Sequence, residues 1–430
     1  MKGGCEAAVH ATRRYIERMP PDHVVAKLDF HNAFNCLDRC HMLGQVAEVI
    51  PEIYKFCYLS YGQPSTLQFG EFTISSEVGV QQGDPLGGLL FCASIHSILS
   101  ATKSELTLGY LDDISLGGPI ADVSSDVEHF QSAGSKIGLT LNVNKCEVIS
   151  HPSASTSAFP LFCRIDFTNA SLLGAPLLPG KAMTDALRDK SEVLQLAINR
   201  LRSVPAHDAL VLLRSSFSAP RLMHILRCSP CHGHPALVLF DDLLRNAFSL
   251  ITNSNLSDIQ WTQASLPIRD GGLGIRRASS LALPAFLASA ASSAALQSGI
   301  LGRHDVFPDS SVEAARNAWV SSYKTTIPAG TSVNLQRAWD SPVRQLDTSS
   351  VLTAASTAED RARLLAIKSP HASDWLFALP ISSCGLRLDD EAVRVAVGLR
   401  LGLQLCQSHQ CPCGSTVDTR GIHGLSCRRS

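Results

Sequence analysis

With 430 residues, 45% of them hydrophobic and only 6% aromatic, the chain is long enough for two to four domains with substantial cores. A formal net charge of −1 excludes a uniformly basic nucleic-acid-coating protein, so any such contact must come from locally partitioned charge. The 14 cysteines scatter without a disulfide-like framework and the N-terminus is polar, which argues against secretion and for a reducing intracellular compartment, nuclear or cytoplasmic.

In chain order, His23-Val-Val-Ala-Lys-Leu-Asp29 reads as a buried strand over 23–29 that ends on a carboxylate. Phe30-His-Asn-Ala-Phe-Asn35 follows, then helices near 36–60 and strands near 66–75. In Val78-Gly-Val-Gln-Gln-Gly-Asp-Pro-Leu-Gly-Gly-Leu-Leu-Phe91, Gly79 and Gly83 let the backbone approach a ligand closely. Pro85 suits the first turn of the next helix, which runs apolar to about Leu99 and packs under the sheet.

Leu108-Gly-Tyr-Leu-Asp-Asp-Ile-Ser-Leu116 places two adjacent carboxylates where a hairpin ordinarily carries Asn-Gly or Asp-Gly. Like charges side by side gain nothing structurally, and such a breach of local rules points to a cation. If the Asp29 strand lies beside this hairpin, Asp29 and Asp112 converge at one sheet edge. Side chains alternate along a strand, so Asp112 is read as the principal ligand and Asp113 as the supporting one. Hard carboxylate oxygens at such a point suit Mg²⁺, and two ions bridged by carboxylates suit phosphoryl transfer.

A helix near 122–138 and strands near 139–150 and 171–174 complete this part, interrupted by a polar surface loop over 151–158. Beyond about 180 strand signals vanish. Apolar residues at helical spacing run from Leu187 to Leu201, from Leu210 to Phe217 and up to Leu226, and another helix is predicted from Pro235 to about Leu250. Arg188, Lys190, Arg200, Arg202, Arg214, Arg221, Arg227 and Arg245 fall in this helical region, either as a stripe that tracks a duplex backbone or as a solvated face. His224, Cys228, Cys231, His232 and His234 are dense enough for ligands but read better as structural residues at helix ends. The apolar run over 281–296 is broken by Pro284 and three serines and is not expected to span a membrane. Residues 300–400 read as further helices.

The C-terminus carries Cys411-Pro-Cys413 and His423-Gly-Leu-Ser-Cys427, a C-x-C-x9-H-x3-C pattern. Three thiolates and an imidazole suit tetrahedral Zn²⁺, with Gly414 helping the chain turn. The gap between the first two cysteines is tighter than usual.

The order Lys-Leu-Asp29-Phe-x-x-Ala-Phe34-Asn, Gln82-Gly83-Asp-Pro-Leu, Tyr110-Leu-Asp112-Asp113 resembles the palm of reverse transcriptases. Gly138-Leu-Thr-Leu-Asn-Val-Asn-Lys-Cys-Glu147 and Leu173-Gly-Ala-Pro-Leu177 look like the next two palm motifs. The non-LTR, LINE-type branch fits best, through Gln-Gly-Asp-Pro-Leu and Leu266-Pro-Ile-Arg-Asp-Gly-Gly-Leu-Gly-Ile275. The resemblance implies an α+β fold: a right-hand polymerase palm, an antiparallel sheet with packed helices, over 1–180. An all-helical thumb over 181–300, a helical region over 301–405 and a zinc-knuckle-like tail over 406–430 follow.

It also implies roles. Asp29, Asp112 and Asp113 hold two Mg²⁺ ions, helped by the Phe30 carbonyl. Phe34 is the aromatic gate against a ribose 2′-hydroxyl, Gln82 and Gly83 line the incoming nucleotide and template base, and Lys145 neutralises the departing pyrophosphate. The partners are an RNA template, a DNA primer and deoxynucleoside triphosphates. The chain departs from the family in two ways: residues 1–10 resemble the helix just before the first catalytic strand, leaving the fingers largely absent, and Gly88 stands where proline is common. The chain also stops three residues after Cys427, where an endonuclease domain follows in relatives. Two readings therefore stay open: an RNA-directed DNA polymerase, or a non-catalytic retroelement remnant that binds nucleic acid.

Overall fold

The computed structural model describes residues 2–429, and contacts divide them into two compact units. The first comprises residues up to Ala182 together with Ser293–Pro308; the second comprises Met183–Ser292 and the chain from Asp309 onward.

In the first unit α1 (Gly4–Ile16) precedes β1 (His23–Leu28), the central strand of a five-stranded sheet. A short α2 (Ala33–Cys36), α3 (Arg39–Val49) and α4 (Pro51–Tyr61) follow. The start of α3 is set by Asp38, whose carboxylate accepts from the His41 N–H at 2.7 Å, and Pro51 opens α4. β2 (Ser65–Phe69) and β3 (Phe72–Ser76) pair only with each other. α5 (Gly87–Ser100), β4 (Leu106–Tyr110), β5 (Asp113–Pro119), α6 (Ile120–Lys136), β6 (Glu147–Ser150) and β7 (Cys163–Ile165) complete the layer. The sheet order is β4-β5-β1-β6-β7, antiparallel except for the β6–β7 pair.

Alternation along β1 sends Val24, Ala26 and Leu28 into the core with Ile114, Leu116 and Val148. Leu90, Phe91 and Ile95 of α5 and Val123, Val127 and Phe130 of α6 fill the same core. On the opposite face Tyr15 of α1 packs on Gly117, where a Cβ would lie 3.0 Å from its ring. That covers the start of β1 and leaves its end, at Lys27 and Asp29, open to a cavity.

Three expectations change here. The strand near 139–150 is a strand only from Glu147; before it the Lys145 and Cys146 N–H groups both donate to the Asn142 carbonyl, at 2.8 and 3.1 Å, making a turn of the kind asparagine favours. The strand near 171–174 is a small hairpin, β8 (Ser171–Leu172) with β9 (Ala175–Pro176), turned by Leu173 at φ 49° and Gly174 at φ 76°. Pro85 lies two residues before α5 rather than in its first turn.

The second unit is nearly all helical: α7 (Lys181–Leu201), α8 (Ala206–Leu212), α9 (Met223–Cys228), α10 (Pro235–Thr252), α11 (Asp258–Ser265) and α12 (Ala278–Ser292). α13 (Ala294–Leu301) belongs to the sheet-bearing unit; α14 (Ser310–Tyr323), α15 (Gln336–Ala354), α16 (Ala358–Ala366) and α17 (Asp390–Leu401) return to the helical one. Leu376, Val393, Val397, Leu401 and Leu403 join one core with Leu194, Leu226, Phe240, Phe248 and Trp261. The stretches read from sequence as 181–300 and 301–405 therefore share a core instead of forming separate bodies. Strand structure also reappears in β10 (His409–Gln410) and β11 (Thr416–Val417). No single helix among the described residues is long and apolar enough to cross a membrane.

Candidate active site

The β1–β5 register ends on Leu28 opposite Ile114, so Asp29 follows the end of β1 where Asp113 begins β5, and both line one cavity. Asp113 opens β5 and pairs with Tyr110, so Leu111 and Asp112 alone make the hairpin turn. Leu111 takes φ 59°, a conformation that costs a bulky L-residue energy and that this turn ordinarily gives to glycine. Such strain is characteristic of functional turns, where surrounding structure holds it in place.

A cavity of about 270 Å³ lies on the open face at this edge, lined among others by Lys27, Asp29, Asp113, Lys145, Glu147 and Leu173. Burial pushes the Asp113 carboxyl above its ordinary value; Asp112 pushes the same way, Lys27 opposes, and Asp29 adds to the rise. Lys27 donates to Glu147 at 2.5 Å. Counting Asp112 in the adjoining turn, four carboxylates stand against two ammonium groups, an excess of negative charge that suits divalent cations.

The sequence made Asp112 the principal ligand and Asp113 the supporting one; here Asp113 opens β5 and lines the cavity with Asp29, and Asp112 lies in the turn. The Asp29 carbonyl accepts from the Asn142 N–H at 2.8 Å, and its N–H donates to Cys146 Sγ at 3.4 Å. Phe30 bridges Leu141 and is buried in the core. Phe34, half-buried, stacks on the fully buried Phe91 with ring centroids 4.6 Å apart, and it does not line the carboxylate cavity.

Gly79 takes φ 73°, and a Cβ there would meet the Asn35 backbone at 2.4 Å; the Val80 N–H donates to the Phe34 carbonyl at 2.7 Å. The two motif loops are thus in backbone contact. Gly83 takes φ 91° with open space around it, and Gln82 is exposed. A Cβ on Gly88 would lie 3.3 Å from the Leu111 side chain, so the start of α5 abuts the Asp-Asp turn.

Sequence reasoning missed the supports of this region. Arg39, buried, donates to the Gly79 carbonyl at 2.9 Å and to the Ser76 carbonyl at 2.7 Å, and its guanidinium lies over the Tyr61 ring. Tyr61 in turn donates to Asp84. The signal available was a lone arginine following the Asp38 cap, and nothing local marks its partners.

At the C-terminus Cys411, Cys413, His423 and Cys427 place one donor atom each within 4.8 Å of all the others. The Cys411 and Cys427 sulfurs are 3.6 Å apart, and Cys413 Sγ lies 3.1 Å from His423 Nε2. β10 and β11 form the hairpin that carries Cys411 and Cys413, and Gly414 turns it at φ 91°. A hydrogen bond from Ser415 leads in pulling the Cys413 thiol down to about 6. Among the described residues this is the one group of three or more such donors within reach of a single ion; the Asp29, Asp112 and Asp113 carboxylates are spread more widely.

The cluster between His224 and His234 stays structural. His234 caps α10 by accepting from the Ala236 N–H, and burial raises the Cys231 thiol to about 12. The basic residues are mixed: Arg188, Arg200, Arg202 and Arg221 are exposed, while Arg245 pairs with Asp258 at 2.7 Å and Arg227 donates to Gln336 at 3.1 Å.

Comparison with known proteins agrees with this geometry. Residues 3–177 match the family described as reverse transcriptase (RNA-dependent DNA polymerase). The chain is 24% identical over 277 residues to the retrotransposable element SLACS 132 kDa protein of Trypanosoma brucei gambiense, an alignment covering 60% of this chain and 23% of that protein. It thus matches about a quarter of its relative's length. Among solved structures, telomerase from Candida albicans, in complex with a TWJ fragment of telomeric RNA, aligns with 77% of this chain and 52% of its own at 10% identity and TM-score 0.32. Telomerase from Candida tropicalis, in the corresponding complex, aligns with 86% and 51% at 13% identity and TM-score 0.29. Scores this low establish no shared fold.

Proposed function

We infer, from a chain whose residues 3–177 form a reverse transcriptase domain, that the protein is an RNA-directed DNA polymerase of the non-LTR retrotransposon kind. The observation that carries this reading is the placing of Asp29, just past the end of β1, and Asp113, at the start of β5, on one cavity, with Asp112 in the strained turn beside them. The family uses divalent metal ions; we assign Mg²⁺ here because the donors are hard carboxylate oxygens. Carboxylates spread over two strand ends fit two ions ~3.5–4 Å apart better than one. When bound, such ions stabilise both the attacking and the leaving oxygen of an in-line displacement.

The chain's own residues then have separable tasks in extending a DNA primer on an RNA template with deoxynucleoside triphosphates. Asp29 and Asp113 hold the metal-binding edge, and Asp112 adds its carboxylate from the turn. Lys145, exposed and lining the same cavity, is assigned the neutralising of the departing pyrophosphate. Phe34, backed by Phe91, offers a rigid ring for excluding a ribose 2′-hydroxyl, and Gln82 and Gly83 present an exposed, side-chain-poor surface to the nucleotide. Cys411, Cys413, His423 and Cys427 fit Zn²⁺, for their sulfurs are spaced as ~2.3 Å Zn–S bonds require. We also propose a reducing intracellular location, nuclear or cytoplasmic, from the scatter of the 14 cysteines along the sequence.

Extension of a DNA primer annealed to an RNA template, with Mg²⁺ and all four deoxynucleotides, tests the reading. Extension by the native protein, abolished in the Asp29→Asn, Asp112→Asn double variant, is the expected result. No extension by either protein would overturn it.

A further inference from the structure

Asp29 lies two residues past the last β1–β6 pair, Lys27 with Glu147. The antiparallel register would set residue 145 opposite it, but the chain turns over 142–146 and the ladder is interrupted until the Phe30–Leu141 bridge. The Asp29 N–H is then a donor without a strand acceptor, and such a group left unpaired away from water costs free energy.

Cys146 supplies what the ladder does not. Its side chain is wholly buried, its sulfur accepts from the Asp29 N–H at 3.4 Å, and the same sulfur lies 3.8 Å from the Asp29 carbonyl oxygen. That carbonyl also accepts from the Asn142 N–H at 2.8 Å. The Cys146 carbonyl accepts from the Cys163 N–H at 2.9 Å, which ties the turn to β7. Both main-chain polar groups of Asp29 are therefore gripped by one turn, and that turn carries Lys145 into the cavity facing Asp29.

We propose that Cys146 is a positioning residue for nucleotidyl transfer: its thiol fixes the Asp29 backbone so that the Asp29 carboxylate and the Lys145 ammonium address one cavity. The assignment rests on the polymerase reading above. The thiol does no chemistry itself, since it has no access to the cavity. Sulfur suits the place because it fills an apolar site as a small hydrophobe and still offers a weak acceptor. A serine oxygen keeps the acceptor but, on its shorter bond, must close up to about 1 Å to reach the ~2.9 Å of an N–H···O bond.

Two variants separate positioning from core filling. Cys146→Ala removes the acceptor; Cys146→Ser keeps it but buries a hydroxyl, so Ser should be no more stable than Ala. The readouts are the Mg²⁺ concentration for half-maximal extension, the KM for primer–template, and the thermal midpoint. Cys146→Ala is expected to raise the Mg²⁺ requirement about tenfold with KM unchanged, as loss of a bond behind a metal ligand does. Cys146→Ser is expected to recover most of that despite its lower or equal stability. An unchanged Mg²⁺ requirement in both variants, or one that follows stability instead of the acceptor, overturns the proposal.

If the native protein does not extend primers at all, the polymerase reading fails and hydrogen exchange decides this one. The residue-29 amide should exchange faster in Cys146→Ala and slow again in Cys146→Ser. Equal rates in all three proteins would show that the thiol holds nothing.

Discussion

The two candidate metal sites are built in opposite ways. Asp29 and Asp113 stand at the end of strands whose Val24, Ala26, Leu28, Ile114 and Leu116 are buried, so the fold determines where their backbones lie. Cys411, Cys413, His423 and Cys427 stand in a stretch where Val417 is the one buried residue among described residues 404–429. Chain entropy opposes bringing His423 and Cys427 back to the β10–β11 hairpin unless something binds them. On the proposed assignments, the first site is a property of the core that a metal would use, whereas the second is a local structure that a metal would make. The difference predicts which perturbation hurts which property.

The largest effect on activity should come from Asp29→Asn. Losing one charged ligand removes several kcal/mol of transition-state stabilisation, so primer extension is expected to fall roughly a thousandfold, the equivalent of about 4 kcal/mol. The thermal midpoint should hold or rise slightly, because Asp29 and Asp113 repel each other in the native protein. A variant that loses activity and stability together would place Asp29 in the structure of the sheet edge instead of its chemistry.

Removal of zinc comes next, with its effect on local structure and not on catalysis. Structural zinc contributes about 10 kcal/mol or more to small sites that have little core of their own. Chelation should therefore expose the amides of 409–427 to rapid exchange while those of β1 and β5 stay protected. The pH sign follows from Cys413: its depressed value, about 6, keeps the thiolate available above that pH and withdraws it below. Zinc should stay bound at neutral pH and be released as the solution is taken to acid pH, because metal competes with protons for the same ligands. Metal analysis across that range, with Cys413→Ser as the low-affinity control, checks it.

Much of this was legible from residue order alone, and the reason is that it is local. A carboxylate closing an apolar strand, two carboxylates in a hairpin turn and a C-x-C-x9-H-x3-C tail each declare themselves within a dozen residues. What was not legible depends on partners distant in sequence. The turn that ends the 139–146 stretch shows its purpose only when Cys146 meets Asp29. Arg39 organises residues 76–79 from far upstream. Strand alternation separates Asp112 from Asp113, but which residues of two strands come together depends on the register, which no single strand encodes. Residues 301–405 looked separate because helical periodicity reports that a face is buried and not what buries it.

Gly79→Ala tests the middle of the scale, where a local change disturbs the carboxylate site through packing. The substitution needs φ 73° and a Cβ 2.4 Å from the Asn35 carbonyl carbon, so neither backbone can accept it without moving. A loss of roughly 3 kcal/mol is expected, at the upper end for a point substitution. Zinc content should not change. Denaturant unfolding and metal analysis on one preparation read both.

The smallest effect should be Arg420→Ala, and it asks whether the zinc element depends on its neighbours at all. Arg420 donates to both oxygens of Asp360 in α16, at 2.8 and 3.1 Å, with side chains 31% and 15% exposed. Arg420 is the leading cause holding the Asp360 carboxyl below its ordinary value, and Arg363 adds to it. A bidentate pair in this half-sheltered setting is worth about 1 kcal/mol once solvent screening is allowed for. Its loss should leave zinc stoichiometry and primer extension unchanged. It should modestly raise exchange along 416–421, and the difference from the native protein should shrink in 1 M salt, where charges are screened beyond ~3 Å. Loss of zinc from Arg420→Ala would mean that α16 shapes the site before the ion arrives. Unaltered zinc with faster exchange is the outcome expected of an element that its metal holds together and that the ion pair only anchors.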